Sequence, residues 1–498
     1  MKFRLLFLSL LLGSAAARLP AAESDVQQLQ TQIQELQASM EKTRREQEQQ
    51  IAELNRKLAA LIAANPAPAP AAAPTAPPSP DAQKQLEQQL AAELTPPAGA
   101  TAAAAEPAPA LPPAAVATGA HAGSSYMNLS YGATMFAGSS SEADPSAQLE
   151  LGDHDPQKRG FSLRNAEIAI DGAVDPYFKG FANIVLKLDK NGETSVELEE
   201  SFAQTTALPA NLQVKAGQYF AAFGRQNVQH PHTWAFVDQP LILGRTFGPD
   251  GLRSLGAQLS WLAPTPFYTE AFLSVMDGQG STAFSFRNRG EPDAAGVNRY
   301  AGRATLDRTL GSAGDLLYVP RLASSFELSD TQTLLAGVSA AFGPNNTGPH
   351  ERTEIYGVDL FWKWKPANAA QGFPFVTWQT EALWRQFSAG ADPSAPTPLP
   401  AATIRDSGAY TQIVWGFHPR WNAGLRADYV DGNDAATTPD DPYRGLRYRF
   451  SPEVTFLPSE FSKLRLQYNY DHGDNFGTAH SVWMQLEFGL GAHAAHQY

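Results

Sequence analysis

Four stretches in the last third of the chain alternate apolar and polar residues, and this period of two constrains the fold more than any other feature. In 463–471, Leu464, Leu466, Tyr468 and Tyr470 face one way, while Lys463, Arg465, Gln467, Asn469 and Asp471 face the other. In 481–491, Val482, Met484, Leu486, Phe488 and Leu490 oppose Gln485 and Glu487. Tyr356, Val358, Leu360, Trp362 and Trp364 repeat the pattern, as do Val376, Trp378, Ala382 and Trp384 against Gln379, Glu381 and Arg385. Alternating strands of about ten residues edged with Tyr and Trp suit a transmembrane barrel, with apolar side chains toward lipid, polar ones toward water and aromatics at the interfaces. A soluble β-sandwich shares the alternation, but rarely with so many charges opposite such aromatic edges. The predicted fold is all-β: an antiparallel transmembrane β-barrel over 121–498, with about sixteen strands at some twenty residues per strand and connection.

Composition narrows the alternatives. Mean hydropathy is −0.29, and beyond the first residues no apolar run approaches the roughly 18 to 20 residues of a spanning helix. The net charge of −13 is spread along the chain, which advertises no polyanion-binding face and excludes nucleic acid as an expected partner. The absence of cysteine removes disulfides, thiolate metal sites and cysteine nucleophiles. No nucleotide loop, nucleophile elbow or HExxH helix is present, so neither an enzyme nor a cofactor is expected.

Ahead of the barrel the sequence reads as three zones. Residues 1–22 have the layout of a secretory signal, with Lys2 and Arg4, an apolar core from Leu5 to Leu12, and small residues before cleavage after Ala17 or Ala22. Residues 23–65 lack glycine and proline and predict one long helix. Leu29, Ile33, Leu36 and Met40 alternate steps of four and three, and Ile51, Leu54, Leu58 and Leu61 do the same after an interruption. So narrow a stripe is best buried by self-association as a coiled coil, a trimer being expected; a solvated or partner-binding single helix is the alternative. Residues 66–120 are rich in Pro and Ala and predict extended spacers around one short helix carrying Leu86, Leu90 and Leu94.

A family resemblance lies within the barrel zone. The stretch Val214 to Trp261, with Gly217-Gln218-Tyr219, Phe223-Gly224, Thr233 to Pro240 containing Asp238, and Arg253 to Gly256, resembles the phosphate-selective porin O and P family of outer-membrane channels. The segment Phe161 to Ile184, with Arg164, is similar to that family's early hairpin, and a C-terminal strand closing on an aromatic such as Tyr498 looks like a barrel assembly signal. The coiled coil and Pro/Ala tether are additions to the family pattern. The resemblance implies a trimeric sixteen-stranded channel with loops folded into the pore, in the outer membrane of a Gram-negative bacterium, its N-terminal region in the periplasm.

Charge facing lipid is costly, so the polar faces should turn inward. Alternation places Lys215, Arg385, Arg426, Arg447, Arg449, Lys463 and Arg465 on the polar side, together with Glu381, Asp428, Glu453, Asp471 and Glu487. Two readings follow: a basic lining that favours anions, or a wall whose charges cancel in salt bridges. Arg245 and Arg253 flank TFGPDGL, which reads either as a loop narrowing the pore or as a plain surface loop. His230 and His232, and His493 with His496, invite a metal reading, but with no evident third ligand they read as structural or solvated histidines. The expected function is passive diffusion of small hydrophilic solutes, including anions such as phosphate, with membrane lipid and two further copies of the chain as partners. The rivals are a structural tether reaching the periplasm or cell wall through the coiled coil, and an outer-membrane barrel enzyme.

Overall fold

The computed structural model describes residues 126–149, 152–432, 438, 441 and 443–491. The expected signal segment, coiled coil, Pro/Ala linker, His493, His496 and Tyr498 lie outside the described residues.

Sixteen antiparallel strands close into one barrel: β1 (Tyr126–Ser140), β2 (Gly160–Ala173), β3 (Phe178–Leu188), β4 (Thr194–Thr205), β5 (Leu212–Phe220), β6 (Arg253–Leu262), β7 (Thr269–Met276), β11 (Leu317–Ser329), β12 (Gln332–Pro344), β13 (Arg352–Trp364), β14 (Phe375–Ala389), β15 (Ala402–His418), β16 (Trp421–Gly432), β17 (Arg447–Ser459), β18 (Ser462–Gly473) and β19 (Gly477–Gly491). Three short strands, β8 (Glu291–Pro292), β9 (Asn298–Tyr300) and β10 (Arg303–Ala304), form a small sheet within the connection 277–316. Closure comes from β1 pairing with β19, from Ser130 opposite Gly491 to Ser140 opposite Ser481. With an even strand number, both ends of the ring reach the same rim. That rim carries tight turns such as 330–331, 419–420 and 460–461, while the opposite rim carries long connections such as 141–159, 221–252 and 277–316.

The strand faces sort as the alternation predicts. Along β18 the inward Lys463, Arg465, Gln467, Asn469 and Asp471 are buried, whereas Leu464 and Leu466 point out, Leu466 being 50% exposed. Val482, Met484 and Leu486 on β19, Leu425 on β16, Ile413 on β15 and Val358 on β13 continue the exposed apolar surface around the wall. A contiguous apolar belt over a charged interior is the inverse of a soluble sandwich and fits acyl chains. Aromatic clusters mark its edges: Trp415 beside Phe417 and Trp421 beside Phe456 at the tight-turn rim, Tyr448, Tyr470 and His480 at the other. Among the described residues no helix is long and apolar enough to cross a membrane.

In one respect the interior departs from simple alternation. Toward the long-loop rim, inward positions include Ile355, Leu383 and Val430, which join an apolar cluster instead of facing water. Its other half comes from the connection 221–252, which folds into the barrel. If the belt faces lipid, Leu466→Arg should cost about 2–4 kcal/mol of stability, measured by denaturant unfolding in lipid vesicles, while a polar substitution at the exposed loop residue Asp307 should cost almost nothing.

Candidate functional site

The site is built by the long connection between β5 and β6. Residues 221–252 enter the lumen instead of capping it, and the helix Leu241–Phe247 within them is wholly buried. Phe223, Leu241, Ile242, Leu243 and Phe247 pack against Ile355, Leu383, Tyr410 and Val430 on β13 to β16. The wall is notched to receive them. A Cβ on Gly357 would stand 2.6 Å from Phe223 Cε1, and one on Gly408 would stand 2.9 Å from Ile242 Cδ1. Glycine at these strand positions lets the luminal segment approach the sheet closely.

Polar groups then fix the segment in place. Asp238 lies at the centre: its Oδ1 accepts from Arg426 Nη2 at 2.5 Å and Gln467 Nε2 at 3.0 Å, and its Oδ2 accepts from Arg449 Nη1 and Asn469 Nδ2, both at 2.7 Å. Burial by itself would raise the Asp238 carboxyl, but the guanidiniums of Arg426 and Arg449 outweigh it and hold it below the usual carboxylate range. Backbone N–H groups of the segment find wall acceptors as well: Gln226 donates to Glu381 at 2.7 Å, Val237 to Gln467 at 2.9 Å and Leu241 to Asp428 at 3.1 Å. Arg245 reaches Asp406 at 2.9 Å and Asp441 at 2.6 Å, and Asp406 also receives Arg385 and Arg444.

What the segment leaves open is a chamber of about 400 Å³ toward the tight-turn rim. Arg225, His230, His232, Lys463 and Arg465 line it with Gln379, Gln412 and Asn422, while Trp234, Phe361, Phe375 and Val414 supply apolar surface. Among the described residues lining it there is no carboxylate. Lys463 and Arg465 have Glu487 at 3.0 Å and Glu453 at 3.6 Å beside them, and each also donates to a luminal backbone carbonyl, those of His232 and Trp234. Arg225 differs: its guanidinium lies 3.8 Å from the Phe361 ring centroid, its Nε is buried without an acceptor, and no carboxylate pairs with it among the described residues.

No family model matches the chain. A protein of Aquifex aeolicus (strain VF5), described as uncharacterized, is 33% identical over 363 residues, spanning 69% of this chain and 71% of that one. The chain belongs to the family of that Aquifex protein. Solved structures resemble this family member in architecture. The outer-membrane channel DcaP of Acinetobacter baumannii is 11% identical, with 74% of this chain and 97% of that chain covered at a TM-score of 0.49. OmpF of Salmonella typhi, solved with daunomycin, is 11% identical over 74% and 98% of the two chains at 0.44, and OprB of Pseudomonas putida is 10% identical over 74% and 94% at 0.43. The fold rests on the strand pairing described above and not on these similarities.

In this family member the residues singled out in the sequence divide by role. Arg385, Arg426, Arg447 and Arg449 turn inward but are buried in ion pairs, Arg447 with Asp471 and Arg449 with both Asp471 and Asp238. Arg245 belongs to the luminal helix, and Arg253, at the start of β6, pairs with Glu197 and Asp250. Lys215 stands apart, its ammonium 4.5 Å from the Phe202 ring centroid. Only Lys463 and Arg465 of that set border the chamber. TFGPDGL is the last part of a much longer luminal excursion. His230 contacts Glu199 at 2.8 Å and Glu200 at 2.9 Å, and His232 contacts Glu167 at 3.0 Å, carboxylates that spacing along the chain does not reveal. Arg225 escaped sequence reasoning because it follows Gly224 outside any alternating strand. Replacing Asp238 by Ala leaves Arg426 with Asp428 and Arg449 with Asp471 but removes the acceptor of their other buried donors, so we expect a loss of about 1–3 kcal/mol and new protease cleavage within 221–252, read by denaturant unfolding and limited proteolysis of the folded barrel.

Proposed function

We propose that the protein is an outer-membrane channel for passive diffusion of small hydrophilic solutes, with anions preferred. The observation that carries this reading is the chamber, where Arg225, Lys463 and Arg465 converge on open space with no carboxylate among the described lining residues. A ring of basic side chains replaces part of an anion's hydration and repels cations. The Thr233 to Pro240 segment that resembles phosphate-selective porins borders the same space, which makes phosphate a natural test solute. On this reading Lys463 and Arg465 line the path, together with Arg225, while Arg426 and Arg449 hold the luminal segment through Asp238.

A second reading has its own support. The dry packing of Phe223, Leu241, Leu243 and Phe247 against the wall closes much of the long-loop half of the lumen, as an anchoring barrel would tolerate. Planar-bilayer recording separates the two. A channel gives discrete conductance steps and, in a salt gradient, a reversal potential of the sign set by chloride; a silent barrel favours the tether. In a water-like medium one unit charge about 8 Å from an ion contributes ~0.5 kcal/mol. Because losing the charge disfavours an anion and relieves a cation by that amount each, Arg225→Gln should lower the anion-to-cation permeability ratio by roughly fivefold, with Asp307→Asn on the outer loop as a neutral comparison.

We further infer a homotrimer held by the helix at 23–65. Deleting 24–65 should lower the assembly to single barrels in native mass measurement without abolishing barrel folding; a trimer that persists would leave the helix to a tethering role.

A further inference from the structure

Beside the luminal segment, at the long-loop rim, His154, Asp250 and Glu199 converge from three separate parts of the chain: the connection 141–159, the end of 221–252, and β4. His154 Nε2 is 2.8 Å from Asp250 Oδ1 and 3.6 Å from Glu199 Oε1. Its Nδ1 contacts Asn165 Oδ1, an amide oxygen that can only accept. Nδ1 must therefore carry hydrogen, and in the neutral ring Nε2 presents a lone pair to two carboxylate oxygens. A proton on Nε2 can be donated to Asp250. Glu199 Oε1 is then left over: it is buried without a hydrogen-bond partner, on a side chain only 1% exposed. Leaving a buried carboxylate oxygen unsatisfied is costly.

We propose that a divalent transition ion such as zinc binds here, ligated by His154 Nε2, Asp250 Oδ1 and Glu199 Oε1. One imidazole with carboxylates is a borderline donor set of the kind zinc takes, and ligand atoms 2.0–2.2 Å from such an ion lie about 3.3 Å apart. The separations of 2.8 and 3.6 Å bracket that value. One oxygen or nitrogen each from Asp153, His154 and Asp250 lies within 4.8 Å of the other two, but both Asp153 oxygens are already paired, with Arg164 and Lys187, and Asp153 stays outside the proposed ligand set. A cavity of about 30 Å³ adjoins these groups and is lined by His154, Glu199 and Asp250 with side-chain amides such as Gln226 and Gln239. That volume suits one water or one ion.

The outer atoms of the ligands are already oriented. Asn165 engages the far nitrogen of His154 and passes a bond of 2.6 Å on to Glu167. Asn183 donates to Glu199 Oε2 at 2.6 Å, and Arg253 donates to Asp250 Oδ2 at 2.5 Å. Outer partners of this kind fix ligand orientation in metal sites. Arg253 pairs with Asp250 Oδ2 and leaves Oδ1 to His154, while Lys187 and Arg164 pair with Asp153. Access is available from the long-loop side, where an open hollow of about 440 Å³ is bordered by Asp153, Glu197 and Asp250. A bound ion would join the luminal segment to β4 and to the neighbouring connection.

The experiment uses the full chain, purified in detergent and stripped with a chelator, with zinc titrated by calorimetry and cobalt as the spectroscopic probe. We expect one saturable site per chain, visible d–d bands of nitrogen and oxygen coordination with cobalt, and a zinc-dependent rise in the denaturant midpoint of the folded barrel. His154→Gln and Glu199→Gln should each weaken binding by more than about tenfold, and a chain carrying His493→Gln with His496→Gln should retain it. If His154→Gln fails to fold, Glu199→Gln, which keeps the shape of the side chain, decides the matter. Absence of saturable binding, unchanged affinity in Glu199→Gln, or loss of binding on replacing His493 and His496 would overturn the proposal.

Discussion

Hydrocarbon offers no hydrogen bonds, and that constraint governs the whole architecture. Every strand N–H and C=O facing the bilayer must find its partner within the sheet, so the sheet has to close. The β1 to β19 pairing meets that demand, and closure in turn creates an interior shielded from lipid where charged side chains can stand. Because successive side chains point to opposite faces, each position that supplies an apolar residue to the belt is followed by one that must be satisfied inside.

The interior meets its own demand by pairing. Wall arginines that would be costly alone are matched by carboxylates, both on neighbouring strands and on the luminal segment. Asp238 and Asp471 each receive two guanidiniums and Asp406 three. The segment 221–252 is thus held by charge at one side of its course and by apolar packing at another, and what remains open is the cationic space beside Arg225. Half the lumen behaves like the core of a soluble protein and half like a solvated vestibule. The boundary between them is drawn by this one connection.

How far the sequence carried this picture depends on the range of the interaction. Face assignment is local: Leu464 and Lys463 differ by one position, and a period of two is visible without any knowledge of neighbours. The same reasoning placed Arg426, Arg449 and Arg465 inward. It was silent on what they meet, because Arg426 and Asp238 are 188 positions apart and Arg449 and Asp238 are 211 apart. Both readings of the basic wall, lining or salt bridge, were open in the sequence, and tertiary contact separates Arg385, Arg426, Arg447 and Arg449, buried in ion pairs, from Lys463 and Arg465, which border the chamber while touching carboxylates. Arg225 carries no periodic signature, and the carboxylates around His230 and His232 come from β2 and β4. The inward apolar positions Ile355 and Leu383 look like breaks in the pattern until the luminal helix that covers them is in place.

The notched wall also bears on how such barrels diversify. Gly357 sits against Phe223 and Gly424 against Phe236, with Gly408 against Ile242, so the strand and the insert are cut to one another's shape. A side chain gained at Gly357 demands a trimmed Phe223 on the insert, whereas one at Gly408 or Gly424 would also meet the wall itself, at Tyr429 O and Glu453 Oε1. Within the family, change at these distant pairs should be inherited jointly, and an insert transplanted from a different barrel would find no socket.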